Sequence, residues 1–153
     1  MPLTNLEHYL LQVRDMDETI EWYERVLGMR SGPHPDFKFP AAWLYVGDQP
    51  VLHVAEGGAK VSENRLRYLG QQSTALAGSG VVDHVAFHAS KPREMIEHFE
   101  AEGIEFTRRQ VDDQGQLQLF LIDPNGVKVE VNFSADEARA DGVYADLSAT
   151  ELS

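Results

Sequence analysis

The sequence predicts an α+β fold: two tandem βαβββ modules forming a curved, half-barrel mixed sheet with helices on its outer face. Three observations predict it. The order strand, helix, three strands occurs twice. Landmark residues of the two copies keep a nearly constant spacing, and a Gly-rich segment divides them.

The first module covers residues 3–56. Leu6–Val13 (LEHYLLQV) is apolar enough for a strand. DMDETIEWYERVLGM follows, with Asp15 or Asp17 as N-cap. Its Ile20, Trp22, Tyr23, Val26 and Leu27 have helical spacing, and Gly28 stops it. Strands are expected over Met29–Ser31, Ala42–Val46 and Val51–Ala55, with Gly47, Asp48 and Pro50 marking the last turn. Residues 57–80 read as a linker with one short helix. The second module covers 81–134. Val81–Ala89 is a strand, and KPREMIEHFEAEG is a helix with Ser90 as cap, Pro92 in its first turn and Gly103 at its end. Strands follow at Ile104–Arg109, Gln116–Ile122 and Val127–Phe133, with Asp123 to Gly126 as the last turn. His8 matches His84 at an offset of 76, Gly28 matches Gly103 at 75, and His53 matches Glu130 at 77. Independent segments have no reason to hold such spacing, so the pattern reads as a duplication. The remaining stretch, 135–153, carries five acids and one Arg and reads as a short helix with a loosely held acidic end.

Composition narrows the function. The formal net charge of -12 argues against a nucleic-acid partner, which needs clustered cations to replace counterions on phosphate. No run approaches the roughly 20 apolar residues of a bilayer span, and MPLTNLEHYL has no signal-peptide pattern. A cytoplasmic protein handling a small molecule is expected. The absence of cysteine excludes disulfides, thiolate nucleophiles and Cys-based metal sites within this sequence. A metal would be held by His, Asp and Glu, donors that suit Zn, Ni, Mn, Co or Fe.

His8, His53, His84 and Glu130 fall on the first and last strands of the two modules. Alternation separates Lys128, Glu130 and Asn132 from the apolar Val127, Val129, Val131 and Phe133, and His84 and His88 from Val85 and Phe87. Three imidazoles and a carboxylate, half-buried, are costly without partners. A divalent cation satisfies them all, so these four are the expected metal ligands. Trp43, Tyr45, Gln118 and Phe120 alternate onto the same side and are expected to wall a pocket, with His34 in a bordering loop.

These residues carry a family resemblance. WYERVLGM, VVDHVAFHA and FLIDPNGVKVEVNF within the duplicated frame resemble the vicinal oxygen chelate superfamily of glyoxalases, bleomycin-resistance proteins and extradiol dioxygenases, over nearly all of Leu3–Ser134. The resemblance implies a metal held by His8, His84, Glu130 and the residue at position 53. That last position is Glu or Gln in several isomerase and epimerase members and is His53 here. It implies that the metal chelates vicinal oxygens of a substrate and stabilises an enediolate-like charge, in a lyase, isomerase or epimerase. Glu130 would double as the base; apart from the resemblance, His88, on the His84 face, is a candidate further acid or base. An Fe(II) extradiol-type dioxygenase and a metal-free drug-binding module are the alternatives, and a homodimer is implied.

Overall fold

In the computed structural model, which describes residues 2–70, 75–110 and 115–148, Asp15 opens the first helix. Its carboxylate accepts the Glu18 N–H at 3.0 Å and α1 runs Met16–Leu27. Gly28, at φ 71°, turns left-handed and donates its N–H to the Glu24 carbonyl, a conformation costly for residues with a Cβ. Trp22, Tyr23 and Val26 of α1 are buried with Val13, Leu44, Leu52 and Val54, the apolar faces of the strands. Those strands are β1 Tyr9–Val13, β2 Arg30–Gly32, β3 Ala41–Val46 and β4 Gln49–Glu56. Their order is β1-β4-β3-β2, with β1 parallel to β4 and the rest antiparallel.

The chain divides into two units, Met1–Ala77 and Gly78–Ser153. Most of the expected linker that is described belongs to the first, as a 3-10 turn at Gly58–Lys60 and α2 at Glu63–Leu69. The Arg65 side chain ties α2 down: it is buried and donates to Gln12 Oε1 at 3.2 Å and to the Glu56 carbonyl at 3.3 Å.

The second unit contains β5 His84–His88, α3 Pro92–Ala101, β6 Thr107–Gln110, β7 Leu117–Ile122, β8 Lys128–Phe133, α4 Ala135–Ala140 and β9 Leu147–Ser148. Its sheet order is β5-β8-β7-β6-β9. Leu117, Leu119 and Leu121 alternate inward on β7; Val129, Val131 and Phe133 do so on β8. With Ile96 and Phe99 of α3 they form this unit's core. The β7–β8 turn is held by the Asp123 carboxylate, which accepts the N–H groups of Asn125 at 2.7 Å and Val127 at 2.8 Å.

The duplication extends to hydrogen-bond register. Tyr9 pairs with Leu52 across β1 and β4; residues 76 and 77 further on, Val85 pairs with Val129 across β5 and β8. Trp43 faces His53, and 77 residues later Phe120 faces Glu130. Each unit is therefore a mixed sheet with helices, and the α+β reading of the sequence holds.

Four expectations are corrected. Ser90 does not cap α3: Lys91 takes that place at φ 59°, and its backbone N–H is accepted by Glu137 Oε1 at 2.6 Å. The tail is not loose through residue 148, because β9 adds to β6 in parallel and Ser148 is buried. Pro50 lies inside β4 rather than in the turn; β1 begins pairing at Leu52, so its missing N–H costs no ladder bond to β1. The first strand starts at Tyr9, which leaves His8 just outside it.

Candidate functional site

In the first unit, register puts the side chains of Leu10, His53 and Trp43 on one sheet face, opposite the α1 core. His8 reaches that face from one residue before β1. Its ring stacks on His53 at 3.8 Å between centroids, and Trp43 stacks on the other side of His53 at 4.2 Å. This sandwich buries His53 Nε2, which has no hydrogen-bond partner among the described residues. Burial pushes the His53 pKa down and the neighbouring His8 adds to the shift; a hydrogen bond with the Pro50 backbone and the charge of Glu7 oppose it. A neutral imidazole with one buried, unpartnered nitrogen is the state in which histidine binds a metal.

His34 of the β2–β3 loop lies 5.8 Å from the Phe37 ring and 6.3 Å from Trp43, and Phe37 is 6.2 Å from Trp43. Tyr45 does other work. Its hydroxyl donates to the Pro33 carbonyl, and its ring lies so close to Gly32 that a Cβ there would meet it at 2.7 Å. Tyr45 thus fastens the loop that carries His34.

In the second unit, β5, β8 and β7 place His84, Glu130, Gln118 and Phe120 on the face opposite the core. His84 Nε2 lies 2.7 Å from Glu130 Oε2. Gln118 Nε2 donates to Glu130 Oε1 at 2.9 Å, so both carboxylate oxygens are engaged. Glu130 is 6% exposed, deep for a carboxylate, and these two partners account for how it can be buried there. The Phe120 ring meets His84 edge-on at 6.1 Å. His88 lies on the same face, exposed and opposite Asn132, outside the His84–Glu130–Gln118 chain.

The donors expected from sequence therefore come together as pairs: His8 with His53 in the first unit, His84 with Glu130 in the second. Among the described residues no group of three or more His, Asp or Glu side chains is gathered as a metal cluster. Taken one unit at a time, each pair carries donors that suit a divalent cation: the orphaned His53 nitrogen in the first, and an imidazole facing a buried carboxylate in the second.

Sequence reasoning missed three polar groups around the imidazoles. His84 Nδ1 lies 2.7 Å from Asp83 Oδ2, and Lys128 Nζ lies 2.8 Å from the same oxygen. Hydrogen bonds from His84 and Lys128, with the Lys128 charge, hold the Asp83 carboxyl below its ordinary pKa. In the first unit His8 Nδ1 lies 2.8 Å from Glu7 Oε1. The available signal was an acid immediately before each of the equivalent histidines His8 and His84, again 76 residues apart.

Duplicated βαβββ units, each with its first strand parallel to its last, define the class. Residues 5–131 match the Glyoxalase/Bleomycin resistance protein/Dioxygenase superfamily, and the chain belongs to that superfamily. It is 28% identical over 132 residues to Glyoxylase I 4 of Arabidopsis thaliana, covering 84% of this chain and 70% of that protein. It is 27% identical over 143 residues to a lactoylglutathione lyase of Salmonella typhimurium, covering 90% of this chain and 98% of that one. The crystal structure of a lactoylglutathione lyase from Agrobacterium tumefaciens shares the fold with a TM-score of 0.63, at 19% identity over 88% of this chain and 97% of that one. Among the described residues no helix is long and apolar enough to cross a membrane.

Proposed function

We propose that the protein is a metal-dependent enzyme of the glyoxalase type, a lyase, isomerase or epimerase acting on a small molecule with adjacent oxygens. His8, His53, His84 and Glu130 are its metal ligands. The observation that carries the reading is the buried Glu130 carboxylate facing His84 Nε2 at 2.7 Å, with a second donor pair at the matching positions of the other module. The lactoylglutathione lyases among its relatives support proton-transfer chemistry. A bound divalent cation supplies Lewis-acid stabilisation of negative charge on neighbouring substrate oxygens.

The chain's own residues do the rest. Glu130, fixed by Gln118 through Oε1, would hold the cation through Oε2 and, once displaced from it, would take the substrate proton as the base. Trp43 stacks on His53 and Phe120 meets the edge of His84, so each would wall the site on one side, with His34 bordering the first pair. His88, exposed beside Asn132, is a further acid or base for the leaving proton. A soluble cytoplasmic homodimer completes the proposal.

Metal analysis of protein purified without chelator or His tag tests it. Zn, Ni, Mn or Co, with turnover that consumes no oxygen, is the expected result. Iron with oxygen uptake on catechols establishes the dioxygenase instead. No bound metal and no gain in melting temperature with any of these ions leaves a metal-free binding module and ends the enzymatic reading. His84→Ala and Glu130→Gln should each weaken metal binding while circular dichroism stays unchanged. Their loss should exceed the roughly 10- to 100-fold that removal of an outer partner costs.

A further inference from the structure

His8 and His84 share a feature that no other histidine on the two donor faces shows: the residue immediately before each is an acid whose carboxylate touches Nδ1. His84 Nδ1 is 2.7 Å from Asp83 Oδ2, and His8 Nδ1 is 2.8 Å from Glu7 Oε1. Successive strand residues point to opposite faces, which ordinarily keeps neighbours apart. Here β5 begins at His84 and β1 at Tyr9, so Asp83 and Glu7 both lie off the ladder and are free to turn back onto the ring. The contact recurs at the same offset of 76 although the acids differ in length.

We infer that Asp83 and Glu7 are positioning residues: each carboxylate holds the following histidine by Nδ1 and so presents Nε2 as the donor nitrogen. The metal part of this inference rests on the function proposed above. A carboxylate on the far nitrogen of an imidazole fixes the ring's orientation and its tautomer and raises its basicity toward a metal.

The two copies are not equal. Lys128 stands directly opposite His84 in the β5–β8 ladder and reaches across to Asp83 Oδ2 at 2.8 Å, which locks that carboxylate in place. Val51 occupies the place equivalent to Lys128 in the first unit, and it offers no cation. The Glu7 side chain is 83% exposed. The second-unit clamp is therefore the stronger.

The test has two arms. In metal-free protein, nuclear Overhauser contacts between the His84 ring protons and the Phe120 ring report the orientation. They should be present in wild type and lost in Asp83→Ala, while Asp83→Asn, which can still accept from Nδ1, retains them. Their persistence in Asp83→Ala overturns the inference. In the second arm Zn²⁺ is titrated into each variant. Asp83→Ala should weaken binding about 10- to 100-fold, Lys128→Met by less, and Glu7→Ala least. Equal affinity for wild type and Asp83→Ala also overturns it. Wild type that takes up no Zn²⁺ while the contacts vanish in Asp83→Ala defeats the metal reading and leaves the orienting role standing.

Discussion

At the scale of single residues, the two donor pairs show how burial prepares a side chain. His53 is held between two rings, His8 and Trp43, and its shift has a direct consequence for stability. Its folded pKa is lowered, so the unfolded chain binds the proton more tightly. The stability contribution is fully present above the ordinary histidine pKa and is lost as pH falls through that value toward the folded one. Urea unfolding of metal-free protein should therefore show stability falling as pH drops below the ordinary histidine value of about 6.5. His53→Phe keeps a ring in the sandwich without a titrating nitrogen, and should flatten that part of the profile. An unchanged slope in His53→Phe would remove His53 from the account. His53 and Glu130 were legible in sequence because strand alternation exposes a polar residue among apolar ones. The Gln118–Glu130 bond was not. Cross-strand partners depend on register, and register becomes visible only when the strands are paired.

At the scale of elements, boundaries failed where distant chain supplied what local sequence lacked. α1 carries its own cap in Asp15, and the sequence showed it. α3 does not. Lys91 precedes it in a left-handed conformation, and the acceptor for its N–H comes from Glu137, 46 residues further on. Asp141 adds a carboxylate oxygen 3.3 Å from the Arg93 N–H, and its carbonyl accepts from the Arg93 side chain. The acidic stretch that reads as a short helix with a loosely held end thus supplies the N-terminal cap of another helix, and its charge suits the positive end of the α3 dipole. Glu137→Ala should cost about 1 kcal/mol, in the range of a lost helix cap, read as a lower urea midpoint with an unchanged slope. Asp136→Ala in the same helix is the control. Its side chain is 93% exposed and pairs with Arg139 of its own helix, so it should change stability little. Equal effects from the two substitutions would show that α4 contributes general charge rather than a cap.

At the scale of the whole molecule, duplication explains why the fold was legible. Two modules written in the same order of elements, with pairing registers that coincide after shifts of 76 and 77, make each half a check on the other. The same logic shows where they have diverged. The last-strand donor is an imidazole in one module and a carboxylate in the other, and only the second has a lysine beside its first-strand clamp. Each module presents one donor pair on an open sheet face, and a pair alone holds a divalent cation weakly. The proposed function takes donors from both pairs, and two-fold symmetric dimers are the commonest soluble assemblies. Light scattering coupled to size exclusion at micromolar concentration should give twice the 17.2 kDa chain mass. Metal analysis of the same peak should give one ion per chain. A monomer carrying one tightly bound ion would show that a single chain completes the set. A dimer carrying no ion, even after incubation with Zn²⁺ or Ni²⁺, would show that assembly serves some purpose other than the metal, and that the two imidazole–donor pairs do not form one centre.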